Sequence, residues 1–357
     1  MLTYHKVMSL LKDNSIRRKV PNQQSDSTTD FIGFGNLPNQ IHRKLAKRGF
    51  ELTLMVVGES GLGKTTLINS LFQRDLHSQQ HLSNAAPEQL YSSIKIEPST
   101  IDIEECGVKV RLTIINTPGY GDSINCTDNY KSILNYIDNQ FELYFDAESG
   151  LNRRSISDNR VHCLFYFISS LARGFKPLDI ECMKALHHKV NIIPIIAKAD
   201  ALTSDELIQM KQNIIEQIHG HHIQIYQIPD CDADEDEELK EKNIQLKSCL
   251  PFAIISSTQC FEAKGKQIYG RIYPWGLIDI ENSNHSDFLK LRNMLIIHMQ
   301  DLQQVTHEFH YENYRLEKLQ LKKYDGPQRK LLQEKDNELR RMQDLLCKVQ
   351  GQLAEKL

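Results

Sequence analysis

The sequence predicts an α/β fold in which helices cover both faces of a mainly parallel β-sheet. Apolar runs of strand length recur along the chain and alternate with helix-like segments, which is the pattern of a parallel sheet buried on both faces. These runs cover residues 50–57, 108–115, 161–169, 190–197 and 251–256. A chain of 357 residues is long enough for one such domain with smaller appendages.

A glycine-rich motif directly follows the first predicted strand. Gly58–Thr65 reads G-E-S-G-L-G-K-T, which matches the phosphate-binding loop G-x-x-x-x-G-K-[ST]. Its glycines let backbone N–H groups turn toward a polyphosphate, while Lys64 would reach the β- and γ-phosphates and the Thr65 hydroxyl would bind Mg²⁺. Residues 66–72 read as the start of an amphipathic helix. Strand, loop and helix thus follow in the order that phosphate binding requires.

Three later segments indicate a guanine nucleotide. Asn116–Gly119 (N-T-P-G) lies where a P-loop GTPase has D-x-x-G, whose Asp holds Mg²⁺ and whose Gly meets the γ-phosphate. Asn116 keeps an acceptor oxygen but loses the negative charge. Ala197–Asp200 (A-K-A-D) loosely fits the guanine motif [NT]-K-x-D, in which Asp200 would accept hydrogen bonds from guanine N1 and N2. Residues 255–258 lie where a further loop contacts the base, so the sequence predicts a P-loop GTPase-like three-layer domain.

Composition argues against several classes of protein. The formal net charge is −3, so the chain as a whole does not have the basic excess of a nucleic-acid-binding protein. None of the 8 cysteines forms a C-x-x-C pair, which favours reduced thiols over a zinc site or a disulfide framework. The N-terminus lacks a signal-peptide core and no apolar run reaches membrane-span length, so we expect a cytoplasmic protein.

The segments around the predicted domain differ from it in composition. Residues 1–35 are polar and are predicted to be mostly disordered, and residues 36–49 form a basic segment with Arg43, Lys44, Lys47 and Arg48. The nucleotide-binding domain is predicted to cover residues 50–315, and a linker covers 316–328. Within the domain, the acidic stretch 230–242 is predicted to be a solvated surface loop.

The last segment, residues 329–357, predicts a short C-terminal coiled coil. Its apolar positions follow alternating steps of three and four, with one lysine among them. The members of this heptad seam are Leu332, Lys335, Leu339, Met342, Leu346, Val349 and Leu353. About four heptads need a partner or an adjoining domain for stability, so an amphipathic helix packed on its own domain remains the alternative.

Taken together, these segments resemble the septins, a family of filament-forming GTP-binding proteins, from about residue 31 to residue 315. Beyond the phosphate loop, the resemblance rests on Thr117–Asp122, Leu151–Arg154, Asp158–Cys163, Lys176–Asp179, Ala197–Asp200, Gly270–Gly276, His298–Leu302 and His310–Arg315. The short heptad tail is similar to that of septins with short C-terminal coiled coils. The resemblance implies a septin-specific extension of the domain. It also implies a subunit of hetero-oligomeric filaments that acts as a scaffold in cytokinesis and at membranes, at the cleavage furrow or cell cortex.

The resemblance also implies roles for individual residues. The nucleotide-binding set would be Gly58, Ser60, Gly61, Leu62, Gly63, Lys64, Thr65, Thr66, Gly119, Lys198, Asp200, Ser256 and Arg271. The other implied roles are Mg²⁺ binding by Thr65 and Asn116, catalysis by Ser93 and Gly119, a subunit interface with Arg173, Trp275 and His285, and binding of anionic phosphoinositide membranes by Arg43, Lys44, Lys47 and Arg48. A solvated basic face is the alternative for the last set.

Four residues depart from the septin pattern, and all of them are at positions that the resemblance places near a bound nucleotide. Asn116 replaces an Asp, Ser93 stands for a catalytically important Thr, Ser256 replaces a Gly near the base, and Arg173 replaces a His that faces the neighbouring subunit. Loss of one carboxylate near the metal can lower metal affinity or activity about 10- to 100-fold. We therefore expect nucleotide binding to survive better than hydrolysis.

Two other functions remain as alternatives to a structural, nucleotide-binding subunit. One is a slow GTPase whose hydrolysis controls filament assembly. The other is a monomeric signalling GTPase, which the long segment Gly270–Arg315 and the heptad tail disfavour.

Overall fold

The structure is a computed structural model that describes residues 49–72, 95–105, 107–122, 129–150, 156–172, 174–230, 237–263 and 266–324. All of these residues lie in one compact unit, Ala46–Leu357. The predictions for the N-terminal segment, the basic residues Arg43, Lys44, Lys47 and Arg48, the heptad tail, Ser93 and Arg173 lie outside the described residues.

Within the described residues, six strands form the main sheet, in the spatial order β2-β3-β1-β4-β5-β6. Their bounds are β1 Phe50–Val57, β2 Glu97–Glu105, β3 Val108–Asn116, β4 Cys163–Ser169, β5 Ile192–Ala197 and β6 Phe252–Ile254. The pairs β1·β3, β1·β4, β4·β5 and β5·β6 are parallel, and the edge strand β2 is antiparallel to its neighbour β3. The predicted, mainly parallel sheet is confirmed.

Helices cover both faces of this sheet. Their bounds are α1 Lys64–Phe72, α2 Asn129–Ser149, α3 Pro177–Leu186, α4 Ser204–Gly220, α5 Glu237–Ser248, α6 Phe288–Ile297, α7 Met299–Val305 and α8 Glu312–Tyr324, with a π-helical turn over Thr306–Tyr311 between the last two. On β1, Leu54 and Val56 pack in one core with α1, α5, α6 and α7. Met55 and Val57 pack in the other core with α2, α3 and α4. The three-layer α/β architecture is confirmed.

The parallel strands bring the predicted site segments to one edge of the sheet. β1, β3, β5 and β6 all end at this edge because they run in the same direction. The phosphate loop, the segment from Thr117 to Asp122, the segment from Lys198 to Asp200 and the Ser256 loop follow these four strands in turn. Ligands of open α/β sheets bind at such carboxyl edges.

One predicted loop is wrong in part. Within the acidic stretch 230–242, the residues from Glu237 onward begin helix α5 rather than continuing a loop. Glu237 and Glu238 in the first turn and Lys247 in the last turn suit the helix dipole. Leu246 anchors the helix because it is buried in the core. Residues 231–236 lie outside the described residues.

A second, three-stranded antiparallel sheet follows β6. It consists of β7 Cys260–Ala263, β8 Lys266–Tyr273 and β9 Gly276–Asp279, in the order β7-β8-β9. The end of β8 and all of β9 lie in the segment Gly270–Arg315, whose length disfavours a monomeric signalling GTPase. None of the helices in the described parts of the chain combines the length and apolar composition needed to cross a bilayer.

Candidate functional site: a phosphate loop and a base pocket

Two glycines of the phosphate loop are required by its close packing. Gly58 has φ +150°, and a Cβ there would lie 2.7 Å from the Cβ of Phe167 on β4. Gly63 has φ +88°, and its Cβ would lie 3.3 Å from the Ser256 hydroxyl. Larger residues at either position would strain the backbone and displace the neighbouring strand or loop. The loop is therefore held against both β4 and the loop after β6.

Lys64 points back into the loop that precedes it. Its Nζ donates hydrogen bonds to the carbonyl oxygens of Gly58 at 2.6 Å and Glu59 at 2.7 Å, and the residue is only 8% exposed. Burial lowers the pKa of Lys64 to about 8, while the nearby carboxylates of Asp122 and Glu59 oppose that shift. A buried ammonium group surrounded by acceptors forms a ready partner for phosphate oxygens.

The first turn of α1 completes the phosphate half of the site. The helix begins at Lys64, and Leu67 N–H donates to the Gly63 carbonyl oxygen at 2.9 Å. The predicted phosphate and metal residues Thr65 and Thr66 lie half-buried in this first turn. The N-terminus of a helix favours anions because its backbone N–H groups are free and its dipole is positive there.

The segment after β3 lies next to the phosphate loop. Asn116 at the end of β3 pairs in register with Val56 of β1, two residues before the loop begins. The fully buried Thr117 hydroxyl donates to the Val56 carbonyl oxygen at 2.9 Å. Gly119 has φ +85°, which turns the chain after this anchor. The structure thus brings the predicted residues Asn116 and Gly119 close to the phosphate end of β1.

The base-binding half of the site centres on Asp200. Lys198 adopts φ +53° and precedes a short 3-10 helix, Ala199–Ala201, that places the Asp200 side chain in the interior with 3% exposure. Its Oδ2 accepts hydrogen bonds from Arg271 Nη1 at 3.1 Å and from the Tyr273 hydroxyl. Its Oδ1 is buried and has no hydrogen-bond partner among the described residues. An unpaired buried carboxylate oxygen is costly, so the pocket fits a ligand that carries N–H donors.

Arg271 connects this carboxylate to the loop after β6. Its Nε and Nη2 donate to the Ser256 carbonyl oxygen at 3.1 and 2.9 Å, in addition to the bond with Asp200. Because Arg271 belongs to β8, the small sheet supplies one wall of the pocket. Tyr273 was not among the predicted site residues, and its pKa is raised because its hydroxyl donates to the Asp200 carboxylate.

The predicted interface residues that the structure describes are on the surface. Trp275 is 75% exposed, and its ring stacks on Tyr273 with centroids 4.8 Å apart and planes 5° apart. His285 is exposed in the turn after β9, where its Nδ1 accepts a hydrogen bond from Asp279 N–H at 3.3 Å. Trp275 therefore touches a residue of the base pocket, whereas no such contact with the pocket is seen for His285 within the described part of the chain.

The residues present fit a guanine nucleotide. The phosphate half offers Lys64, a helix N-terminus and a glycine loop, and the base half offers a carboxylate oxygen that lacks a donor. For a metal ion, Thr65 and Asn116 provide neutral oxygen donors at the same edge of the sheet. A neutral amide attracts Mg²⁺ less strongly than a carboxylate does, so the donor set favours the nucleotide more than the metal.

Comparisons with known proteins identify the family. The septin family model matches residues 48–328. The chain is 55% identical over 332 residues to Septin-2B of Xenopus tropicalis, covering 91% of this chain and 93% of that protein. It is 55% identical over 331 residues to Septin-2 of Mus musculus, covering 91% of each. It is 51% identical over 350 residues to Septin-1 of Drosophila melanogaster, covering 92% of this chain and 97% of that protein. The resemblance predicted from the sequence is confirmed, and the chain belongs to the septin family.

Proposed function

We propose that this septin binds GTP or GDP as a subunit of hetero-oligomeric cytoskeletal filaments, in which the bound nucleotide stabilises an interface between subunits. Family membership supports a guanine-nucleotide-binding subunit of the cytoskeleton. The single observation that carries the site is the buried Asp200 Oδ1, which has no partner among the residues described. Guanine carries N–H donors at N1 and N2, and adenine lacks donors at these positions.

The phosphate half supplies positive charge to the nucleotide. Lys64 would exchange its bonds to the Gly58 and Glu59 carbonyl oxygens for bonds to phosphate oxygens. The remaining phosphate contacts would come from backbone and hydroxyl groups of Gly58, Ser60, Gly61, Leu62, Gly63, Thr65, Thr66 and Gly119. Mg²⁺, when bound with the nucleotide, neutralises phosphate charge, and Thr65 and Asn116 would hold it.

The base half would hold guanine between two sheets. Asp200 would accept the guanine N–H groups, Lys198 would lie along the base, and Arg271 would pack against it. The Ser256 carbonyl oxygen and Asp200 already fix the Arg271 guanidinium through three hydrogen bonds. This wall is therefore preorganised, which lowers the entropy cost of binding.

Binding is favoured over turnover in this proposal. Asn116 is neutral where the P-loop GTPase pattern has an Asp, and Ser93 replaces the Thr expected by resemblance. The alternative function is slow GTP hydrolysis that controls filament assembly, with Ser93 and Gly119 as the catalytic residues. Single-turnover hydrolysis separates the two, because a rate equal to that of GTP in buffer supports the structural role. A rate that Lys64→Ala abolishes supports the GTPase.

An exposed apolar surface beside the base pocket supports a role in assembly. Trp275 and Ile272 are 75% and 64% exposed, and Trp275 stacks on Tyr273, which binds Asp200. A partner subunit that covers this surface would therefore contact the wall of the nucleotide pocket. We propose Trp275, His285 and Arg173 as interface residues, and nucleotide bound there would stabilise the assembled state by mass action.

The proposal extends to membranes and to cell division. The basic residues Arg43, Lys44, Lys47 and Arg48 would bind anionic phosphoinositide surfaces, at roughly 1 kcal/mol for each charge near the lipid. The filament would then act as a scaffold in cytokinesis, in the cytoplasm and at the cleavage furrow or cell cortex. These roles rest on family membership and on the basic composition of this segment.

Nucleotide extraction from the purified full chain tests the site. Denatured protein should release guanine nucleotide in near-stoichiometric amount, and the GTP:GDP ratio measured by chromatography reports turnover. Asp200→Ala should release little nucleotide, whereas Asp146→Ala, a change of an exposed carboxylate on α2, should release as much as the wild type. If the wild type releases none and binds none on titration, the proposed site is wrong.

A further inference from the structure

A buried chain of hydrogen bonds begins at the residue directly after Gly119. The Tyr120 hydroxyl lies 3.0 Å from the Tyr166 hydroxyl, and the Tyr166 hydroxyl donates to Asp179 Oδ1 at 2.7 Å. The three residues come from the segment after β3, from β4 and from α3, respectively. Tyr120 and Tyr166 are fully buried and Asp179 is 5% exposed. The chain therefore links the loop that contains Gly119 (Thr117–Asp122) to the first turn of helix α3.

The direction of these bonds follows from the number of protons. Asp179 accepts at both oxygens, since Oδ2 also accepts from the Lys176 backbone N–H at 2.9 Å. Tyr166 has one hydroxyl proton, and it is donated to Asp179. The bond between the two tyrosines therefore requires Tyr120 to donate and Tyr166 to accept. Phenol, phenol and carboxyl group form a directed chain that ends on Asp179, whose pKa is raised by burial.

The far end of this chain returns to the phosphate loop. Lys176, whose backbone N–H binds Asp179, also donates from its Nζ to the Glu59 carboxylate at 2.5 Å. Glu59 is the second residue of the phosphate loop, and its Cγ would lie 3.1 Å from a Cβ at Gly121. The phosphate loop thus lies close to the Gly119 loop at Gly121, and it is also connected to that loop through Lys176, Asp179, Tyr166 and Tyr120.

We propose that Tyr120 and Tyr166 are positioning residues that hold the Gly119 loop in the conformation that receives the terminal phosphate, and so set the preference of the site for GTP over GDP. The inference rests on the proposed nucleotide function. Both side chains are fully buried, so neither hydroxyl would touch the ligand itself. The Gly119 loop serves only the γ-phosphate, whereas Lys64 and Asp200 serve both nucleotides.

The test compares affinities for GTPγS and GDP in conservative variants. Tyr166→Phe removes both hydroxyl bonds of the chain, and Tyr120→Phe removes one. Tyr226→Phe is the matched control, because Tyr226 is also a buried tyrosine and its hydroxyl has no hydrogen-bond partner within the described ranges. We expect Tyr166→Phe to weaken GTPγS binding about 3- to 10-fold while GDP binding changes less than about 2-fold, with a smaller effect for Tyr120→Phe.

The outcomes distinguish this inference from the function on which it rests. Loss of GTPγS binding without loss of GDP binding supports positioning of the Gly119 loop. Equal weakening of both nucleotides in Tyr166→Phe and Tyr120→Phe, or no change in either, overturns it and leaves the nucleotide site intact. Wild-type protein that binds neither nucleotide overturns the proposed function itself. Both variants keep the aromatic ring and so preserve the packing of the core. If Tyr166→Phe nevertheless folds poorly, the ratio of GTPγS to GDP affinity in Tyr120→Phe decides the test.

Discussion

The two halves of the nucleotide site use different chemical groups of the protein. The phosphate half uses backbone, namely a glycine loop and a helix N-terminus, and its one buried charge, Lys64, is already paired with two carbonyl oxygens. The base half uses side chains from distant segments, Asp200, Arg271 and Tyr273. One oxygen of its carboxylate has no partner among the described residues. The charged group of the first half is therefore paired without ligand, whereas the carboxylate of the second half is paired at only one of its oxygens.

This difference shows where the nucleotide can influence assembly. The phosphate half lies at the edge of the main sheet, in the loop between β1 and α1 and in the segment that follows β3. The base half joins the main sheet to the small sheet, since Arg271 and Tyr273 belong to β8 and reach Asp200 after β5. Guanine that satisfies Asp200 would hold these two sheets together and fix the surface that carries Trp275. The phosphates would therefore contribute mainly to the binding affinity. The base would fix the conformation of the surface that carries Trp275.

The largest expected effect comes from the charge of the phosphate half. Lys64→Ala removes the buried ammonium group, and we expect affinity for both GTP and GDP to fall about 1000-fold, since charge-assisted bonds to two phosphates are lost. Lys184→Ala, at an exposed position on α3, should bind as the wild type does. Titration calorimetry measures both. An affinity within about 3-fold of the wild type in Lys64→Ala would contradict the assignment of Lys64 to the phosphates.

A smaller effect is expected from the carboxylate of the base half. Asp200→Asn replaces one acceptor oxygen by a donor group, so guanine should bind about 100-fold more weakly. Xanthine presents an oxygen in place of the guanine amino group, so XTP affinity should rise relative to GTP. Competition of GTP and XTP for the variant checks this exchange. If the variant lost affinity for GTP and XTP by the same factor, Asp200 would only support the fold through its bond to Arg271.

The phosphate half could be predicted almost completely from the sequence, whereas the base half could be predicted only in part. Gly58–Thr65 is a contiguous motif, and its geometry depends on residues within it and on the helix that follows. Asp200 was indicated by a loose motif, and Arg271 only by resemblance. Tyr273 was missed because its bond to Asp200 spans 73 residues and depends on how β8 folds over the sheet. Local pattern carries no information on such a contact.

The limited information in local sequence pattern also explains why strand β2 and part of helix α5 were not predicted. β2 was not predicted because only Ile101 and Ile103 alternate within an otherwise polar strand, as is typical of an edge that faces solvent. The first half of helix α5, residues 237–242, was predicted as loop because its charged face dominates the sequence and its buried residues are few. In contrast, β1, β4 and β5 were predicted well because strands buried on both faces read as continuous apolar runs.

The next largest expected effect is the change of nucleotide affinity with pH, which depends on Lys64 in the phosphate half. Burial lowers the pKa of Lys64 from 10.5 to about 8, so the folded protein holds fewer protons there than the unfolded chain between these values. Without nucleotide, this group makes stability rise with pH from about 8 to about 10.5. Phosphates require the charged form, so nucleotide affinity should fall as pH rises above 8, by about 10-fold per unit at the steepest. In Lys64→Arg, whose guanidinium stays charged, the affinity should fall less steeply over pH 7 to 9.5 than in the wild type.

The smallest effect separates the two halves most clearly. Tyr273→Phe removes one donor to Asp200 Oδ2 but leaves the Arg271 bond and the stacking on Trp275. We expect GTPγS and GDP affinities to fall together, by about 3- to 5-fold, because the base is common to both nucleotides. Tyr120→Phe should instead change the ratio of the two affinities, because its hydroxyl supports only the Gly119 loop. If Tyr273→Phe also changed the ratio of GTPγS to GDP affinity, the base pocket and the Gly119 loop would be coupled through the protein. The division of the site into two independent halves would then be wrong.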